Sequence, residues 1–203
     1  MTFKKKCDIL TVSMLIGTVV TLMLASFASF AERCENVQGE VLRLHILPNS
    51  DSADDQNLKY LLRDFIIGDA KTHFADAADL NQALQKAAES LDKMEKNAKN
   101  FIKAQGYGYD VKISIENMFF TTRTYENITM PAGNYDALRV VIGAGEGDNW
   151  WCVIFPPLCL PACTKKASGE PYFSVEASRI IESGGGRAEV RFWIYEWLTG
   201  RLR

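Results

Sequence analysis

Twenty-three consecutive residues, Ile9 to Ala31, carry no charge, and Lys4, Lys5 and Lys6 stand three to five residues ahead of Ile9. No other feature constrains the chain as strongly. About 20 apolar residues suffice to span a bilayer, and a buried core helix rarely lacks charge over such a length. Ser26-Phe27-Ala28 and Ser29-Phe30-Ala31 place small residues where signal peptidase cuts. Residues 1–31 therefore read as an N-terminal export segment, either a cleaved signal peptide or a retained membrane anchor. In both cases the lysines stay inside, and Glu32 onward lies outside the cytoplasmic membrane.

This segment changes how the charge is read. The full chain of 203 residues has 23 basic and 25 acidic residues; residues 1–31 hold three lysines and Asp8, leaving 20 basic and 24 acidic residues, a net charge of −4. A nucleic-acid partner would call for a basic surplus and is not expected. The remaining 172 residues or so are enough for a stable core without a staple. Of the five cysteines, Cys34, Cys152, Cys159 and Cys163 face a compartment that permits disulfides. Cys34 is not a lipobox cysteine, because Glu32 and Arg33 precede it.

Residues 32–40 are polar and read as a linker to an exported domain at 41–203. Val41 to Leu47 is a strand by its branched residues. Ser52 with Asp55 three residues on resembles a capping box, and Leu58, Leu61, Leu62, Phe65 and Ile66 succeed it at helical spacing to about Phe74. A second helix starts near Asp79, with apolar positions Leu80, Leu84, Ala87, Leu91, Met94, Ala98 and Phe101, and stops at Gly106. The two form a helical hairpin. Val111, Ile113 and Ile115 then alternate with polar residues as a strand, with Phe119 to Tyr125 as its expected partner. Met130 to Asn134 reads as a turn. Leu138–Ile142 and Trp150–Phe155, joined by Gly143 to Asn149, read as a hairpin with a flexible loop. Thr164–Pro171 reads as a polar loop and Ser183–Gly186 as a hinge. The pattern at Val190 to Leu198 favours a C-terminal helix. This order implies an α+β fold with a mostly antiparallel sheet, the helical hairpin inserted after the first strand.

No arrangement of residues supplies a convincing active site, and neither a metal nor a cofactor is expected. Of two histidines, His45 lies in the first strand and His73 on a helix surface. A Cys152–His45 dyad would need the two side by side across the sheet with an activated thiolate. Asp51, Asp54 and Asp55 do not make a calcium loop, because Gln56 and Leu62 occupy the positions of its glycine and final glutamate. The glycine-rich stretch 143–147 lacks the lysine of a phosphate loop. Cys159 and Cys163 would need two further ligands to hold zinc. Trp150 and Trp151 must point to opposite faces of a strand, so one of them is a candidate contact residue. Trp193 and Trp197, followed by Arg201 and Arg203, could touch a membrane surface, although core packing is expected.

Two blocks carry a resemblance. Leu42-Arg43-Leu44-His45-Ile46-Leu47-Pro48-Asn49-Ser50-Asp51-Ser52, with Asp55-Gln56, Leu58-Lys59 and Arg63-Asp64, resembles the opening of the stage II sporulation protein R family. Tyr135-Asp136-Ala137-Leu138-Arg139-Val140-Val141-Ile142-Gly143, with Gly145 and Gly147, then Asn149-Trp150-Trp151-Cys152-Val153-Ile154-Phe155-Pro156-Pro157-Leu158-Cys159, resembles its second signature. The resemblance spans about Val41 to Cys159. It implies a non-enzymatic signalling protein of endospore-forming Firmicutes, made in the forespore and exported toward the mother cell. There it would activate a membrane-embedded aspartic protease that processes the sigma-E precursor. The family pattern contains Cys152 and Cys159, which implies a disulfide between them; Cys34–Cys163 would be an additional pair. Cys163 and the C-terminal region depart from the pattern.

The expected partner surface comprises Asn49, Asp51, Asp55, Asn149, Trp150 and Trp151, with membrane contact only through the N-terminal segment. The alternatives are an exported thiol hydrolase using Cys152 and His45, and a module that binds cell wall or a small ligand.

Overall fold

The computed structural model describes residues 3–125 and 128–156, together with Phe173, Ala177, Ile181 and residues 193–197. The elements run α1 (Phe3–Gln38), β1 (Leu42–Leu47), α2 (Ala53–Phe74), α3 (Leu80–Ala104), β2 (Val111–Phe120), β3 (Arg123–Tyr125), β4 (Ile128–Met130), β5 (Gly133–Ile142) and β6 (Trp150–Phe155). The fold is α+β. Its main sheet has the order β2-β5-β1-β6, and β3 and β4 form a separate ribbon. Two pairings in the main sheet are antiparallel; β1 and β5 run parallel.

Local signals place the two middle helices. Ser52 caps α2, its side chain accepting from the Asp55 N–H at 3.2 Å. Asp79 caps α3, accepting from the Gln82 N–H at 2.9 Å, while Gln82 Oε1 accepts from the Ala78 N–H. The chain leaves α3 through Gly106 at φ +89°. The two helices pack together, with Phe65 stacked on Phe101 at 4.5 Å. They cover one face of the sheet, where Leu44, Ile46, Leu138, Val140 and Ile142 meet Leu58, Leu62, Ile66, Ala87, Met94 and Ala98. The buried row of α3 is Ala83, Ala87, Ser90, Met94, Ala98 and Ile102, so the contact face is rotated from the expected one. Leu80, Leu84, Leu91 and Phe101 flank it. The alanines let the helix lie close to the sheet.

The opposite face carries a second core. Phe30, Cys34 and Val37 of α1 pack there with Val41, Phe120, Tyr135, Ala137 and Val153, joined by Phe173, Ala177, Ile181 and Tyr195. Residues 32–38, expected to be a polar linker, are instead the last turns of one 36-residue helix. Cys34 and Val37 are fully buried because the steps from Phe30 to Cys34 to Val37 keep one helical face on the sheet. From Ile9 to Leu24 the same helix exposes its apolar side chains, and it is long and apolar enough to cross a bilayer.

Three strand expectations change. Phe119 and Phe120 extend β2, which pairs with β5 along its whole length, from Val111 opposite Ile142 to Phe120 opposite Gly133. The separate segment Arg123–Tyr125 pairs with Ile128–Met130, so Met130 ends β4 and Gly133 begins β5 rather than sharing a turn. Finally, β5 and β6 are not a hairpin, because β1 lies between them. The stretch Gly143–Asn149 instead carries the chain across the end of β1. Residues 193–197 are helical, in line with the expected C-terminal helix. The expected polar loop at 164–171 and the hinge at 183–186 lie outside the described residues.

Candidate functional site

The crossing of β1 brings together two blocks that are almost a hundred residues apart in sequence. Because β1 and β5 are parallel, both end at the same edge of the sheet. There the chain leaves β1 through Pro48-Asn49-Ser50-Asp51 into α2, and the glycine loop passes directly over it.

Backbone packing at this junction leaves no room for side chains. A Cβ on Gly147 would stand 2.3 Å from the Ser50 carbonyl oxygen. Gly143, at φ +57°, faces Asn49, whose Oδ1 would stand 2.3 Å from an added Cβ. The contact is also hydrogen-bonded throughout. Asn49 Oδ1 accepts from the Ala144 N–H at 3.0 Å, the Asn49 carbonyl from the Glu146 N–H at 3.3 Å, and the Pro48 carbonyl from the Gly147 N–H at 3.2 Å. Asp51 Oδ1 accepts from the Asp148 N–H at 2.5 Å. The loop is thus pinned, contrary to its reading as a flexible hairpin tip.

Asp55 and Lys59 hold the junction from below. Asp55 is buried and accepts from Ser50 Oγ and from Asn49 Nδ2; these bonds hold its carboxyl below the usual carboxylate range. Lys59 is buried as well, which lowers the affinity of its amine for a proton. It donates to the Asp148 carbonyl at 2.8 Å and to Gln56, whose amide in turn reaches the Ser50 carbonyl. Of the expected partner residues, Asp55 therefore faces inward, Asn49 is half-buried, and Asp51 and Asn149 are exposed. Asp54, Glu146 and Asp148 join the exposed set, giving the junction an acidic rim.

The two tryptophans do point to opposite faces, and both are half-buried. Trp150 meets Tyr60 edge-on at 5.7 Å, with the Arg63 guanidinium 4.5 Å above its ring. Tyr60 and the next residue of α2, Leu61, are exposed. Trp151 lies on the second core, stacked on His45 at 3.8 Å and edge-on to Phe120 at 4.9 Å. The structure brings together Asn49, Asp51, Asp55, Asn149 and Trp150 at one edge, and puts the Trp151 ring on the other side of the sheet.

His45 and Cys152 do not meet. In the β1–β6 register His45 pairs with Trp151 and Leu44 with Cys152. The imidazole thus shares a face with Trp151, while Cys152 belongs to the core under α2 and α3. Cys152 is also disulfide-bonded, so it has no thiolate to activate. Burial, with Arg139 nearby, pushes the His45 pKa down to about 4, while Glu116 and Asn149 act the other way. Cys34 is a free, buried thiol pushed up to about 12 by desolvation; it does not pair with Cys163. Cys159, the expected partner of Cys152, lies outside the described residues.

One buried residue has no forewarning in the sequence. Arg43 is fully buried; its guanidinium stacks 4.4 Å from the Phe120 centroid and 4.9 Å from that of Tyr135, and donates to Tyr125 Oη at 3.0 Å. Arg43 and His45 alternate with Leu42, Leu44 and Ile46, a pattern that suggests a solvent-facing side. That side is instead covered by the second core, Arg43 by Phe120, Tyr125 and Tyr135, and His45 by Trp151. Among the described residues, no group of three or more His, Cys, Asp or Glu could hold a metal.

The comparisons with known proteins bear on the same region. The model of the stage II sporulation protein R family matches residues 38–165, more than half of the chain and inclusive of both blocks at the junction. The stage II sporulation protein R of Bacillus subtilis (strain 168) is 28% identical over 193 residues, covering 83% of this chain and 86% of that protein. No solved structure matches the chain. Two distant blocks folded into one interlocked junction, and a family match that spans them both, give the conclusion that this chain belongs to the stage II sporulation protein R family and has a role in sporulation.

Proposed function

We propose that this chain is an exported signal between forespore and mother cell, which activates a membrane-embedded aspartic protease and so triggers processing of the sigma-E precursor. Family membership is the observation that carries this reading. The N-terminal helix supports it, since three lysines before an apolar run direct the C-terminal domain across the membrane. The junction supplies a rigid surface for the protease. Its exposed members are Asp51, Glu146, Asp148 and Asn149, flanked by Trp150 and Tyr60. A pinned loop loses little conformational entropy on binding, which favours recognition.

Trp150→Ala is the informative substitution, because Trp150 packs at the rim against Tyr60 and Arg63. Trp151→Ala would also disturb the second core. The test is co-expression of the full chain, the candidate protease and the sigma-factor precursor in a heterologous host. Cleavage is expected with the wild-type chain, and weaker cleavage with Trp150→Ala at a temperature where the variant remains folded. Absence of cleavage with the wild-type chain would overturn the signalling role; full cleavage with the variant would remove Trp150 from the contact surface. The expected disulfide between Cys152 and Cys159 belongs to the same reading, as a clamp at the end of β6.

A further inference from the structure

Outside the apolar span, the exposed large hydrophobic residues among those described are Tyr60 and Leu61 in α2, and Trp193, Ile194 and Trp197 in one short helical stretch. Tyr60 stands beside Trp150 at the junction, and Leu61 follows it in α2. The C-terminal group has a different neighbour. Tyr195, between the two tryptophans, is buried, and its ring meets Phe30 of α1 edge-on at 6.2 Å. Its hydroxyl accepts from Gln38 Nε2 at 3.4 Å, and Glu196 accepts from the Thr122 N–H at 3.2 Å. Residues 193–197 are therefore fixed alongside the last turns of α1.

The height of that contact along α1 is decisive. Phe30 belongs to the final turn of the uncharged run, and Glu32 and Arg33 are the first charged residues after it. A run of 23 residues rises about 35 Å as a helix, enough to cross a hydrocarbon core of about 30 Å. The outer boundary of the bilayer then falls at Phe30 to Glu32, where the Tyr195 ring meets Phe30, while its hydroxyl reaches on toward Gln38 farther out along α1. Trp193 is 67% exposed and Trp197 47%; four residues apart, they lie on one side of their helical turn. Aromatic side chains with an apolar body and a polar edge favour this boundary layer.

We propose that Trp193 and Trp197 insert into the outer interfacial layer of the bilayer that α1 spans, forming a second membrane contact that seats the domain on the lipid surface. The inference rests on the anchor form of the export reading and extends membrane contact beyond the N-terminal segment. With α1 continuous into the second core and the tryptophans bound to lipid, the domain has two attachments. Two attachments fix its orientation, and with it the direction in which the glycine-loop junction is presented.

None of the four tryptophans lies in α1, so tryptophan fluorescence reports only on the domain. The full chain is reconstituted into phosphatidylcholine–phosphatidylglycerol vesicles containing lipids brominated either near the headgroup or deep in the acyl chain. Shallow bromine is expected to quench the wild-type chain more than deep bromine. The W193F/W197F variant should lose most of that quenching, and W150F/W151F, which retains only Trp193 and Trp197, should keep it. Equal quenching of W193F/W197F and wild type, or no quenching of W150F/W151F, would overturn the proposal. Protection of the two tryptophans only when the protease is added would also overturn it, marking the patch as a protein contact. The vesicles contain no protease, so failure of the signalling role leaves this result unaffected.

Discussion

The interlock between Asn49 and Gly143 makes a quantitative prediction through a double-mutant cycle. Asn49→Ala removes a donor to the Asp55 carboxylate and the acceptor for the Ala144 N–H. Those two bonds are together worth about 2 kcal/mol. Gly143→Ala forces alanine to φ +57°, which costs about 1 kcal/mol. It also drives a Cβ into Asn49 Oδ1, so the asparagine must move and its two bonds break, another 2 kcal/mol or so. If the sites were independent, the double variant would lose about 5 kcal/mol. The structure predicts about 3 kcal/mol, because with the asparagine already gone only the backbone strain and a lesser contact with the residue-49 Cβ, at 3.0 Å, remain. The coupling is thus about 2 kcal/mol, or roughly 4–8 °C in melting temperature. Gly147→Ala is the control. Its clash is with the Ser50 backbone, which Asn49→Ala does not remove, so that cycle should be close to additive. Denaturant or thermal unfolding of the full chain in detergent supplies all the values. Additivity within about 0.5 kcal/mol for the Gly143–Asn49 pair would refute the interlock.

The second core and the cysteines give three other predictions. The His45 pKa is lowered to about 4, so between the ordinary histidine pKa near 6.5 and that value the unfolded chain takes up a proton that the folded chain refuses. Stability should fall as pH drops through that window and should fall less in His45→Phe, which keeps a ring against Trp151; identical pH profiles would contradict the assignment. Phe30→Ala should destabilise the full chain by about 3 kcal/mol, since Phe30 is only 5% exposed between α1 and Tyr195, and an unchanged melt would detach α1 from the domain. Alkylation of the non-reduced, folded chain with subsequent mass spectrometry should find Cys34 unmodified and Cys152 linked to Cys159; recovery of both of the latter as alkylated thiols would exclude that disulfide.

How much of the fold the residues reveal depends on the range over which each signal acts. Ser52 and Asp79 fix the starts of α2 and α3 through bonds three residues long, and Gly106 stops α3, so both helices are legible. The long apolar helix at the N-terminus is legible from its lack of charge. Its continuation is harder to see, because Glu32, Arg33, Glu35 and Asn36 dominate the segment. Only the spacing of Phe27, Phe30, Cys34 and Val37 betrays a buried face there. The glycine loop is visible in the sequence, but its partner is not. Adjacent apolar runs around glycines suggest a hairpin, and nothing local announces that β1, almost a hundred residues earlier, will lie between them.

The same division holds for the functional residues. The sequence by itself determined the apolar N-terminal helix, the α+β class, the helical hairpin and the two blocks that identify the family, because these depend on composition, short-range hydrogen bonds and contiguous residues. Only the tertiary structure decided that the two blocks interlock, that Asp55 and Lys59 support the junction from within, and that His45 and Cys152 face opposite sides of the sheet. It also decided that Trp193 and Trp197 are exposed beside the C-terminal turns of α1 rather than packed in the core. Strand order and helix docking set these outcomes, and both are fixed by burial summed over the whole chain, which no window of neighbouring residues contains.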